Sequence, residues 1–225
     1  MGFTRSVSSE SLLEGDALSR ACAGIGMNFA VKPTHDTNIE DTLVAASVAG
    51  MDRDDLRMLA ILVTWLGVHF ERVNADRLVR AVREVGSPRV RVFWAAIATW
   101  LERDRRFAKL AADYGGERVD LLATGTEFQI RRRGEDERFR GGPLRVPGGV
   151  LRDRAADVMT PHEVAKRHRT YRWRVVIGPS YRADLWAANE ADRDATAAVL
   201  ARRTYASFAS AWQVKRDAEA VKGIA

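Results

Sequence analysis

The sequence predicts a mainly α-helical protein with short β-hairpins, arranged as two small helical lobes. Three observations carry this expectation. Apolar residues recur at helical spacing through residues 36–112 and again after residue 151. Helix-start residues precede these runs: Asp36 or Asn38, Asn74, Ser87 before Pro88, Thr160 before Pro161, and Ser180. Between the runs, residues 115–150 are rich in glycine, proline and charge, which suits turns and short strands. The domain plan is an N-terminal extension (1–35), a helical domain with a hairpin (36–140) and a C-terminal helical domain (141–225).

In the extension, Ser9 or Ser11 could cap a short helix over residues 11–22. The next helix runs from Asp36 or Asn38 through Ser47 and stops at Gly50. After Asp52, Leu56, Leu59, Ala60, Val63, Leu66, Gly67 and Phe70 define one buried face. Asp52, Asp54 and Asp55 sit where the helix dipole favours negative charge. Asn74 caps a helix bearing Leu78, Val79, Val82 and Val85, which Gly86 ends. Ser87 and Pro88 open another, with Val92, Phe93, Ala96, Ile97, Trp100 and Leu101 inward.

Gly115 and Gly116 break the helical pattern. Residues 118–123 and 127–132 are extended candidates, joined at Thr124, Gly125 and Thr126 as a hairpin. Residues 131–137 read as an exposed charged loop and residues 141–149 as a linker. Thr160, Pro161 and Glu163 form a capping-box signature for a helix to about residue 169. Residues 172–177 are β-prone, with Tyr171, Trp173 and Val175 facing in and Arg172 and Arg174 out. The same cation–aromatic alternation could stack single-stranded nucleic acid, but the strand reading is favoured. Gly178, Pro179 and Ser180 form a turn, and three helices follow.

The 225 residues carry a net charge of +6, with 46% hydrophobic and 29% charged residues. A core can form, and the positive balance permits a polyanionic partner without requiring one. Cys22 stands alone, so an internal disulfide and a cysteine cage are excluded; it reads as a partly buried thiol. His35, His69, His162 and His168 lack metal-site spacing. No phosphate-binding glycine loop, nucleophile elbow or Cys–His pair is present, so neither an enzyme nor a cofactor is expected. The first twenty residues hold no apolar stretch suited to secretion, and Gly2 with Ser6 matches a myristoylation pattern only loosely. Residues 58–68 are too few to span a bilayer, so a cytoplasmic chain is expected.

One motif points to function. In residues 194–221, Thr196 caps a helix through Arg203, Tyr205 and Ala206 turn the chain, and Ser207 caps a second helix. Ala201, Ala206, Ser207, Ser210, Ala211 and Val214 fall in the small, apolar and polar order of a helix-turn-helix. This stretch resembles that of bacterial DNA-binding transcription regulators, over roughly 25 residues. Tyr205 stands where that family has glycine, so either Tyr205 takes positive φ or the turn is one residue longer. The resemblance implies a second helix in the major groove of double-stranded DNA, presenting Ser207, Phe208, Ser210 and Gln213 to bases. Arg202, Arg203, Lys215 and Arg216 would then meet phosphates. It also implies a homodimer, by analogy with two-fold operators.

A second copy is expected upstream. Helices at 53–71, 75–85 and 88–105 followed by a hairpin stand in winged-helix order, with Arg89 and Arg91 toward phosphate and Arg131, Arg132 and Arg133 on the wing. The alternative function is an antitoxin or adaptor that binds a separately encoded enzyme. It is motivated by six tryptophans and dense apolar faces without catalytic signatures.

Overall fold

The computed structural model describes residues 12–102 and 104–221. Ser9, Ser11, Gly2 and Ser6, invoked above as caps or a lipidation signal, lie outside them. Helix α1 (Gly15–Gly24) leads to α2 (Ile39–Asp52), α3 (Leu56–His69), α4 (Ala75–Val85), α5 (Pro88–Trp100) and the short α6 (Ala108–Ala112). Strand β1 (Val119–Asp120), α7 (Thr126–Arg133) and β2 (Leu144–Arg145) follow, then α8 (Pro161–Arg167), α9 (Arg169–Ile177), α10 (Tyr181–Ala191), α11 (Ala197–Thr204) and α12 (Phe208–Ala220). The mainly helical class with short strands is what the sequence predicts.

Helix α2 is the centre of the body. It packs against α1, α3, α4 and α5, and its residues from Thr42 to Met51 are all buried. A helix apolar nearly all round belongs inside. Its small residues set the spacing: a Cβ on Gly50 would lie 2.7 Å from Leu59 Cδ1. That close approach requires a glycine here, and α2 runs through Gly50 to Asp52 instead of stopping there. Asp55, not Asp52, then caps α3, accepting from the Met58 amide at 2.9 Å. Buried indoles find acceptors, Trp94 on Ser47 Oγ at 3.0 Å and Trp65 on the Ile25 carbonyl at 2.9 Å.

The described part of the extension packs against α2. Leu18, Ala21 and Cys22 of α1 are in the core. Cys22 is wholly buried rather than partly, and burial pushes its thiol up to about 12. The native protein should therefore leave a thiol reagent such as DTNB unreacted, with one equivalent consumed only on unfolding. Stoichiometric reaction of the folded protein would contradict that burial.

Three expectations are corrected. The hairpin over 118–132 does not form: β1 pairs in parallel with β2, Val119 opposite Leu144, and residues 126–133 are the helix α7. Glu127 in its first turn and Arg131, Arg132 and Arg133 in its last suit the helix dipole. The 141–149 stretch is not a free linker, because Leu144 and Val146 are buried in the body's apolar cluster. Residues 172–177 are helical, with Tyr171 and Arg174 inward and Val175, Val176 and Ile177 exposed.

The apolar residues divide into two clusters. The larger runs from Leu18 to Tyr171 and includes Leu151 and Val164, so the boundary expected near residue 141 falls within it. The smaller gathers Leu185, Ala195, Leu200, Ala206, Ala211 and Val214 from α10, α11 and α12. No helix among the described residues is long and apolar enough to cross a membrane.

Candidate nucleic-acid interface

The three C-terminal helices form the smaller unit. Thr196 caps α11, accepting from the Val199 amide at 3.3 Å, and Ser207 caps α12, accepting from the Ser210 amide at 2.9 Å. Three residues, Tyr205, Ala206 and Ser207, separate the two helices. Tyr205 has φ 57° and ψ 18°, the left-handed conformation. Of the two turn geometries open in the sequence, this is the strained one.

Ala211 and Val214 face inward against Leu185 and Leu200, which fixes the outward face of α12. Phe208 is 60% and Trp212 48% exposed there, one turn apart, with Ser210, Gln213 and Arg216 also exposed. The Arg216 guanidinium lies 4.8 Å from the Trp212 ring centroid. From Ser207 through Arg216 there is no acidic residue. Asp217 is the first, and it pairs with Arg182 at 2.6 Å. Trp212 was missed in the sequence reading, although its i+4 spacing from Phe208 is the signal that marks it.

Other residues expected at DNA have local roles. The Gln213 amide donates to Asp217 Oδ1 at 2.8 Å. Arg203 pairs with Asp192 at 2.8 Å, while Arg202 is exposed on α11. Lys215 donates to the Arg193 and Ala195 carbonyls at 2.7 and 3.0 Å, tying the α10–α11 connection to α12.

The upstream copy loses its geometry. Helix α5, whose Arg89 and Arg91 are expected toward phosphate, is buried from Val92 to Ala98. Arg89 donates to the Met51 and Leu121 carbonyls at 2.7 and 2.9 Å, so it ties the body together. Arg91 is exposed on the first turn of α5. Arg131, Arg132 and Arg133 are exposed on α7 rather than on a wing, and Arg131 meets Glu127 at 3.0 Å.

A charged network joins the C-terminal unit to the body. Arg174 of α9 bonds Glu40 of α2 at 2.6 and 3.0 Å and Asp184 of α10 at 2.8 and 3.1 Å. All three side chains are almost wholly buried. Burial raises the Asp184 carboxyl above its usual range, against the pull of Arg174. Beside it, Arg77 of α4 pairs with Asp41, and Tyr205 covers Arg77 with its ring centroid 3.4 Å from the guanidinium carbon. A cleft of about 200 Å³ opens nearby, lined by Thr37, Ile39, Arg169, Ala188, Ala191 and Thr204 among others. Its rim charges are matched, Arg169 with Asp36 and Arg203 with Asp192.

The described residues contain no group of three or more His, Cys, Asp or Glu able to hold a metal. Comparison with protein-family models, with curated proteins and with solved structures finds no match to this chain.

Proposed function

We propose that this chain is a cytoplasmic DNA-binding transcriptional regulator of repressor type, with α12 as the helix that enters the major groove. One observation carries the reading: the outward face of α12 is exposed and free of acid from Ser207 to Arg216, at the end of a three-helix unit. The N-terminus of that helix adds positive potential where a phosphate would approach. Ser210 and Gln213 can hydrogen-bond base edges, Phe208 and Trp212 can pack on thymine methyl groups, and Arg202 and Arg216 can meet phosphates. Gln213 must turn from Asp217 to reach a base.

Titration against genomic fragments, including its own promoter, tests this. Binding should weaken steeply with salt, and Arg216→Ala should weaken all sequences alike, lowering the salt slope by about one. Gln213→Ala should narrow the gap between preferred and random sites by about tenfold, the scale of one base contact. Absence of salt-sensitive binding at micromolar protein would sink the reading. The mass in solution tests the accompanying homodimer proposal.

The exposed pair Phe208 and Trp212 favours a second reading, an adaptor or antitoxin that binds a protein partner. In that case Trp212→Ala would abolish co-purification of the product of a neighbouring gene.

A further inference from the structure

We propose that Tyr205 is a latch by which the N-terminal body holds the α11–α12 turn, and with it α12, in one docked position. The proposal stands on the seam itself and does not require the DNA reading.

A tyrosine at φ 57° is unfavourable, and such strain persists only where the surroundings over-determine it. Those surroundings come from the body. The Tyr205 ring lies over the Arg77 guanidinium at 3.4 Å, and its hydroxyl donates to Asp41 Oδ2 at 3.2 Å. Asp41 also accepts from Arg77. The ring is thus the lid on a buried cation from α4, and its hydroxyl is pinned to α2. A glycine in this turn would relieve the backbone and lose both contacts.

The seam has the construction of a device that can open. The buried apolar clusters of the body and of the C-terminal unit are separate, and α10 is held to α9 by the Arg174–Asp184 pair and the Trp173–Trp186 stack, which leaves the α11–α12 turn as the part that can lift. Arg77 is 1% exposed, yet its Nε and Nη1 have no hydrogen-bond partner among the described residues. Lifting Tyr205 away would let water reach those two donors, which offsets part of the lost cation–π contact. The docked position leaves Phe208 and Trp212 open, so the latch orients α12 and does not mask it.

Hydrogen–deuterium exchange on the full chain tests this. Tyr205→Gly should keep the far-ultraviolet helical signal while exchange across residues 197–220 rises about tenfold, the scale of one desolvated cation–π contact. Exchange in α3 and α5 should stay at the wild-type rate. Tyr205→Phe, which keeps the stack, should retain most of the protection. Arg77→Met removes the cation while leaving Tyr205 in place, and should raise C-terminal exchange in the same pattern. This second variant decides the matter if the glycine variant fails to fold. Wild-type protection of residues 197–220 in both variants, or a uniform rise over the whole chain, overturns the latch. Titrating the same samples with DNA separates the two proposals. A wild-type protein that ignores DNA refutes the regulator and leaves the exchange result standing.

Discussion

Arg174→Met is expected to destabilise the fold by about 3–5 kcal/mol at neutral pH, measured by urea unfolding. Methionine roughly fills the space but removes the cation between Glu40 and Asp184. Arg174 makes two hydrogen bonds to each carboxylate and one to the Arg72 carbonyl at 3.1 Å. Without it, two carboxylates with 0% and 8% side-chain exposure face each other in a dry seam. Burial disfavours the Arg174 cation itself, and Glu40 and Asp184 together outweigh this and keep it protonated.

The pH dependence of the deficit is the sharper test. The Asp184 carboxyl is already raised by burial in the wild-type protein. A raised folded-state pKa means that stability is lost as pH rises from the unfolded value through the folded one. Removing Arg174 takes away the main opposing influence, so this loss grows and its window moves up. The methionine variant should therefore recover stability as the pH is lowered from neutral, as Asp184 takes up a proton. Glu40→Gln and Asp184→Asn added to it should recover part of the deficit at neutral pH. A deficit that is constant with pH and unmoved by the two amides would mean that lost packing, not stranded charge, is responsible.

The sequence is most legible where the physics is local. Asn38, Asn74, Ser87, Thr160, Ser180, Thr196 and Ser207 each accept from a backbone amide three residues on. A cap depends on its own turn, so its signal sits within four residues. The β-prone stretch 172–177 fails for the opposite reason. Its helix is held by Arg174 reaching Glu40, 134 residues away in sequence, and no local pattern reveals that partner. The arginines at 131–133 read as a loop or wing because charge runs are usually solvated. At the end of α7 they are indeed exposed, but as a helical turn. At the candidate site, Tyr205 could be placed at a turn that wants positive φ. Its grip on Arg77 and Asp41 could not, since both lie on distant helices. Trp212 was readable in principle, because inward Ala211 and Val214 leave it only the outer face.

Leu200→Ala is expected to remove about 2–5 kcal/mol from the C-terminal unit alone. That unit has little to spare. Three of the six buried residues in its apolar cluster are alanines, so Leu185, Leu200 and Val214 are the larger buried side chains between α10, α11 and α12. Leu200 does not belong to the body's cluster, which should keep its own stability. Exchange should therefore rise in α11 and α12 and stay slow in α2, α3 and α5. Val199→Ala, at a half-buried position one residue away, should cost much less, since partial burial leaves a smaller void. On the DNA reading, Leu200→Ala should abolish binding while the body is still folded, because packing on α10 and α11 is what gives α12 its place within the three-helix unit. If α2 and α3 lose protection in step with α12, the seam of Arg174, Glu40 and Asp184 makes the chain one cooperative unit. The three-helix unit would then have no independent stability to lose.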